Sequence, residues 1–222
     1  VNERADWSRI AIWTAFAALI AAANFAAYDA SGSTTVPENA LFRWSTAVGT
    51  SIFTAVWIAI SLTISGGRPG LRALRRSQIS FPTFLGLSLL VIFATYVATV
   101  VVSTFGANPA REQGLLTEHW QPGHGAAFAA NAVTLVVLAP LSEELFARGL
   151  GFGLFSPFGR GVAIVVPAVV WALMHGLLEA VFPLSVLGIG LAYLRARSSS
   201  IIPGMLVHGF FNGLALAVAF GL

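Results

Sequence analysis

Three charges, Glu143, Glu144 and Arg148, fall inside LSEELFARG, a stretch flanked by the apolar runs AFAANAVTLVVLAP and LGFGLF. His175 lies in VPAVVWALMHGLL, and His208 and Asn212 lie in IIPGMLVHGFFNGLAL. A carboxylate beside an imidazole, in a cavity that admits water, can act as general base on that water. A second imidazole and an amide facing the same point can donate hydrogen bonds to a developing oxyanion. These are the parts of a peptide hydrolase that works without a covalent nucleophile.

Charges at bilayer depth cost roughly 2.5 to 3.5 kcal/mol each on the insertion scale, so something must compensate them. Glu144 and Arg148 are four apart and can pair along one helix face. Glu143 points about 100° away from Glu144 and needs another partner. A purely structural ion pair with a spare carboxyl is the bland reading, and a lone intramembrane His is often only an interhelical hydrogen-bonding group. Depth arithmetic links the groups instead. Pro157 and Gly159 break a hairpin from which Glu143 and His175 both lie roughly 22 to 26 Å along antiparallel helices, at about 1.5 Å per residue. His208 and Asn212 lie roughly 13 to 20 Å in from Ser198–Ser200, and their spacing of four puts both on one face.

The elements that must hold these groups are membrane helices. Of 222 residues, 57% are hydrophobic and 9% charged, far from a soluble domain. Continuous apolar runs, not alternating ones, predict an all-α polytopic transmembrane bundle of about seven helices with no soluble domain. The spans read as about 10–28, 44–64, 83–105, 126–155, 161–178, 183–195 and 200–221. Residues 1–125 then form an N-terminal group of about three spans, and 126–222 a core of about four. Twelve arginines without lysine point to topology and not to nucleic acid. Arg4, Arg9, Arg68, Arg72, Arg75, Arg76, Arg160, Arg195 and Arg197 fall on one side, which predicts a multi-pass cell-membrane protein with a cytosolic N-terminus. With no cysteine, thiolate chemistry and disulfides are excluded. Gly149 with Gly153 and Gly209 with Gly213 are GxxxG pairs that suit close helix approach.

EELFARG (Glu143–Gly149), WALMH (Trp171–His175) and HGFFN (His208–Asn212), in this order, resemble the EExxxR, FxxxH and HxxxN motifs of the CAAX protease and bacteriocin-processing (CPBP) intramembrane proteases, related to the type II CAAX prenyl endopeptidase. The motifs cover about half of the chain. The resemblance implies that Glu143 and His175 activate water, that His208 and Asn212 form an oxyanion site, and that Glu144 and Arg148 support the first motif. It also implies a membrane-associated peptide or protein substrate, a prenylated CaaX tail being the eukaryotic paradigm, with entry from the cytosol. Trp171 departs from the usual Phe, and Ala147 stands where many members have Phe.

HExxH is absent, although Glu143, His175 and His208 could offer zinc three ligands. Metal-free chemistry is the expectation, with no cofactor required and zinc the alternative, because Asn212 suits an oxyanion better than a metal. A transporter or proton relay using the same groups, and a non-catalytic immunity or scaffold homologue, are the rival readings. Glu179, four residues past His175, could orient its ring or be solvated at a span end. His119 and His124 read as solvated loop, and Asn24 and Asn131 as interhelical glue. Trp7, Trp44 and Trp120 read as interfacial, and the arginine cluster could hold lipid headgroups.

Overall fold

The computed structural model describes residues 5–31, 39–66, 72–112 and 120–220. Arg4, Glu38, Arg68, Glu118 and His119, and the side chains of Arg72 and Arg111, lie outside the described residues. Among the described residues there is no strand, and seven longer helices form an all-α bundle. These are α1 (Trp7–Ser31), α2 (Trp44–Ile64), α3 (Phe81–Thr104), α4 (Gly125–Phe158), α5 (Arg160–Leu173), α6 (Val181–Ser198) and α7 (Ile202–Ala219).

Five of them, α1, α2, α3, α4 and α7, are long and apolar enough to cross a membrane. The sixth expected span ends later than read, so Arg195 and Arg197 lie inside α6 and not beyond it. This helix need not be apolar throughout. It packs between α3, α5 and α7, with Leu184, Leu187, Leu191 and Leu194 buried. The fifth span ends earlier than read, which corrects the placement of His175. The helix α5 has 14 residues, about 21 Å at 1.5 Å each, short of a bilayer core of about 30 Å.

That early stop has a cause. Gly176 adopts φ +69°, and the N–H groups of His175 and Gly176 return to the carbonyls of Ala172 (3.2 Å) and Leu173 (3.1 Å), a glycine-terminated helix end. Helix α1 presses on this turn: Asn24 Nδ2 donates to Met174 O at 2.6 Å. A Cβ on Gly176 would lie 2.6 Å from the Asn24 carbonyl carbon. At the far end of the turn, Glu112 Oε2 accepts the N–H of Ala180 at 2.8 Å. Burial raises the Glu112 carboxyl above its ordinary pKa, against the pull of the backbone N–H groups around it.

Helix α4 is not regular. It contains π-helical turns at Thr134–Leu138 and Leu145–Gly151, which displace carbonyls from the usual i+4 ladder. In hydrocarbon such groups need other donors. Asn212 Nδ2 supplies Leu135 O (2.9 Å), Trp13 Nε1 supplies Phe146 O (3.1 Å), and Arg195 Nε supplies Arg148 O (3.2 Å). Close approach is enforced at Gly209, where a Cβ would meet Val136 O at 2.5 Å. Of the GxxxG partners, Gly213 has only ordinary contacts and Gly153 faces open space.

Gly176→Ala should therefore lose about 1 to 3 kcal/mol, from positive-φ strain and the Asn24 clash together. Gly153→Ala should stay within about 0.5 kcal/mol of the parent. Thermal unfolding in detergent reads both.

Candidate active site

Glu144 and Arg148 form the ion pair their spacing predicts, Nη1 to Oε1 at 2.8 Å, with both side chains at or below 1% exposure. A charge pair this deep is tolerable only with further partners. Arg148 Nη2 donates to Gly188 O on α6 at 3.1 Å, and its guanidinium lies 4.4 Å from the centre of the Trp171 ring. Gly188 and Gly204 make the room: a Cβ on the first would come within 3.0 Å of Arg148 Nη2, and on the second within 2.9 Å of Glu144 Oε2. Glu144 Oε1 also faces His208 Nδ1 at 3.3 Å.

Glu143 turns the other way and finds its partner in Trp171, whose indole Nε1 donates to Oε2 at 2.7 Å. Around the same oxygen lie His208 Nε2 at 3.8 Å and His175 Nε2 at 3.9 Å. His175 Nδ1 sits 2.9 Å from Trp171 O. A carbonyl only accepts, so Nδ1 carries the proton, and only the neutral form of the ring has a lone pair at Nε2 to present toward Glu143. Nδ1 of His208 donates likewise to the Glu144 carboxylate. Donation from its Nε2 at the same time needs the imidazolium form, with Glu144 as counter-charge.

The structure thus brings together Glu143, Glu144, Arg148, His175, His208 and Asn212. Asn212 is committed in part, one N–H going to Leu135 O, which leaves a second. A cavity of about 400 Å³ lies over these groups, walled by Thr46 and Thr50 of α2, Asn131 and Thr134 of α4, and Asn212 and Leu216 of α7. Glu143 is 15% and His175 29% exposed, so water reaches both, whereas His208 at 3% forms the floor.

The same atoms fit a metal poorly. The oxygen of Glu143 that faces both imidazoles already accepts from an indole N–H. Among the described residues, no group of three His, Cys, Asp or Glu side chains is arranged to hold a metal ion.

Glu179 is exposed and accepts from Asn108 N, so it does not orient His175; the ring is held by Trp171 O. His124 is exposed, just before α4. Asn24 and Asn131 serve as interhelical donors, Asn131 Nδ2 to the carbonyls of Leu41 (3.0 Å) and Arg43 (3.1 Å). Trp7, Trp44 and Trp120 are all more than half exposed. The donor role of Trp171 was missed in the sequence. Its signal was the Trp in place of Phe, because a buried indole N–H needs an acceptor.

Removing one member of the buried pair strands the other. Glu144→Ala should cost about 3 to 5 kcal/mol of stability, as should Arg148→Ala, measured by thermal unfolding in detergent.

Comparison with known proteins adds one finding. Residues 125–214 match the family described as type II CAAX prenyl endopeptidase Rce1-like. No curated protein and no solved structure matches the chain. The matched stretch runs from the first residue of α4 into α7 and contains every group described around Glu143. Within a multi-pass helical bundle, residues 125–214 are thus similar to the Rce1-like type II CAAX prenyl endopeptidase family.

Proposed function

We propose that the protein is an intramembrane endopeptidase that hydrolyses peptide bonds of membrane-associated substrates with water activated by Glu143 and His175. One observation carries this reading: the Glu143 Oε2 to His175 Nε2 separation of 3.9 Å, with the ring fixed in the tautomer whose lone pair faces the carboxylate. That gap is too long for a direct hydrogen bond and short enough for one bridging water.

In this scheme the water gives a proton to the Glu143–His175 pair as its oxygen bonds to the scissile carbonyl carbon. The oxyanion accepts from His208 Nε2–H and from the second N–H of Asn212. The C–N bond then breaks, and the proton held by the pair passes to the leaving amine. Trp171 holds Glu143 by its N–H and His175 by its carbonyl. No cofactor enters any step. The family points first to a prenylated CaaX-type tail as substrate, and lipids are the expected surroundings of the helices, with the N-terminus in the cytosol.

Glu143→Gln and His175→Ala, folded in detergent, should each lower cleavage of a membrane peptide about 10²- to 10⁴-fold. His208→Ala and Asn212→Ala should lose about 10²- to 10³-fold. A tight chelator should leave the parent rate unchanged. Intact cleavage in the first two variants would refute the general-base pair, loss on chelation restored by zinc would refute the metal-free scheme, and proton-coupled flux in liposomes would favour a transporter. Trp171→Phe keeps an aromatic wall but loses the N–H and part of the indole's packing. Its kcat should fall about tenfold with KM little changed, the worth of one hydrogen bond to a charged group.

A further inference from the structure

Hydroxyls on a membrane helix are ordinarily satisfied at home, by the carbonyl one turn back. On α2, Thr54, Ser61 and Thr63 do this, donating to the carbonyls of Thr50, Trp57 and Ala59 at 2.7, 2.9 and 2.8 Å. Ser51 Oγ lies 3.1 Å from Thr134 Oγ1 on α4. Thr46 and Thr50 do neither. They are the two residues of α2 that line the cavity, both half-buried, and among the described residues neither hydroxyl has a hydrogen-bond partner.

The other polar groups on this side of the cavity are committed. Asn131 Nδ2 serves the carbonyls of Leu41, Arg43 and Ala127, and Thr134 Oγ1 donates to Ala130 O at 3.0 Å. Leu184 and Leu187 of α6 and Phe211 and Ala215 of α7 add apolar wall. Thr46 and Thr50 are therefore left for whatever fills the cavity.

A peptide about to be cut must be extended, because in a helix its carbonyl and N–H groups are taken by the i to i+4 ladder. An extended segment carries bare N–H and C=O groups into the cavity, and each costs free energy if it stays unpaired there. Pairing with the edge of a sheet is one common remedy. The walls here are helices and offer no such edge, so side chains must supply the partners. A threonine hydroxyl both donates and accepts. Two of them four residues apart rise about 6 Å along a helix, at about 1.5 Å per residue. Alternate residues of an extended chain repeat every 6.6 to 6.8 Å or so, nearly the same interval.

We propose that Thr46 and Thr50 form a substrate-binding subsite, their hydroxyls holding the backbone of an extended peptide at two alternate residues beside the bond cut by the Glu143–His175 pair. The subsite reads backbone, so it selects an extended conformation and tolerates varied side chains. It lies outside residues 125–214, on the N-terminal part of the chain. It deepens the endopeptidase reading and rests on it.

Thr46→Val and Thr50→Val, folded in detergent, remove each hydroxyl and keep the branched shape. Each should raise KM about 2- to 12-fold, the worth of one neutral hydrogen bond, with kcat near the parent's. Thr46→Ser and Thr50→Ser should bring KM back. Thr54→Val, on the same helix but outside the cavity, should leave KM unchanged. A second readout needs no cleavage: binding of a prenylated CaaX peptide with an N-terminal fluorophore to the Glu143→Gln protein. There each valine should weaken Kd by the same factor. Ester replacement of single amides in that peptide should weaken binding at two alternate positions, each effect vanishing in one valine variant. Parental KM and Kd in both valine variants would overturn the subsite and leave the endopeptidase reading standing, as would a fall in kcat alone. Weakened Kd beside a parent that cuts nothing would remove the endopeptidase reading and keep the subsite. A Glu143→Gln protein that binds no peptide would overturn both.

Discussion

An ion pair buried to 1% exposure or less inside a membrane bundle has little freedom of arrangement. Desolvating Glu144 and Arg148 costs several kcal/mol per ion, offset only by good geometry and additional hydrogen bonds. Those additional partners are what assemble the site. Arg148 reaches Gly188 O on α6 and the ring of Trp171 on α5; Glu144 reaches His208 on α7. Four helices are thereby registered on one pair of charges. Trp171, fixed beneath the guanidinium, hands the order on to Glu143 through its N–H and to His175 through its carbonyl.

The same economy governs the backbone. The second π-turn of α4 contains Arg148, and side chains from α1 and α6 occupy its carbonyls at Phe146 and Arg148. The first π-turn is satisfied by Asn212, a residue that also faces the cavity. Irregular helix at membrane depth is thus held by donors from other helices. Those donors link the N-terminal helix α1 to the segment that carries the family match. Trp13 stacks on Phe146 at 5.1 Å while its N–H takes the carbonyl, and Asn24 on the same helix secures the turn at Met174.

Much of this was legible in the chain, and the parts that were not share a reason. The helical fold followed from continuous apolar runs, and the Glu144–Arg148 pair from a spacing of four, because both depend on local sequence. Depth arithmetic put Glu143 and His175 within reach, though it assumed an α5 running through His175 and a regular α4. Neither assumption holds. The end of α5 is set partly by Asn24, 150 residues away from Met174, and the π-turns by donors on three other helices. A π-turn has nearly α-helical dihedrals, so no local pattern marks it. The commitment of an Asn212 N–H to Leu135 O is equally a matter of packing, since it exists only because that carbonyl is displaced.

If the buried pair positions the site and does not merely stabilise the fold, the two roles should separate in one protein. Replacing both charges by apolar residues of similar volume, Glu144→Leu with Arg148→Met, is often neutral or stabilising for a buried pair. The deciding measurement is peptide cleavage by this double variant alongside its thermal unfolding in detergent. The predicted result is a melting temperature near the parent's with cleavage lost, because His208 and Trp171 no longer have the charges that orient them. Parental cleavage by the stable double variant would contradict the account.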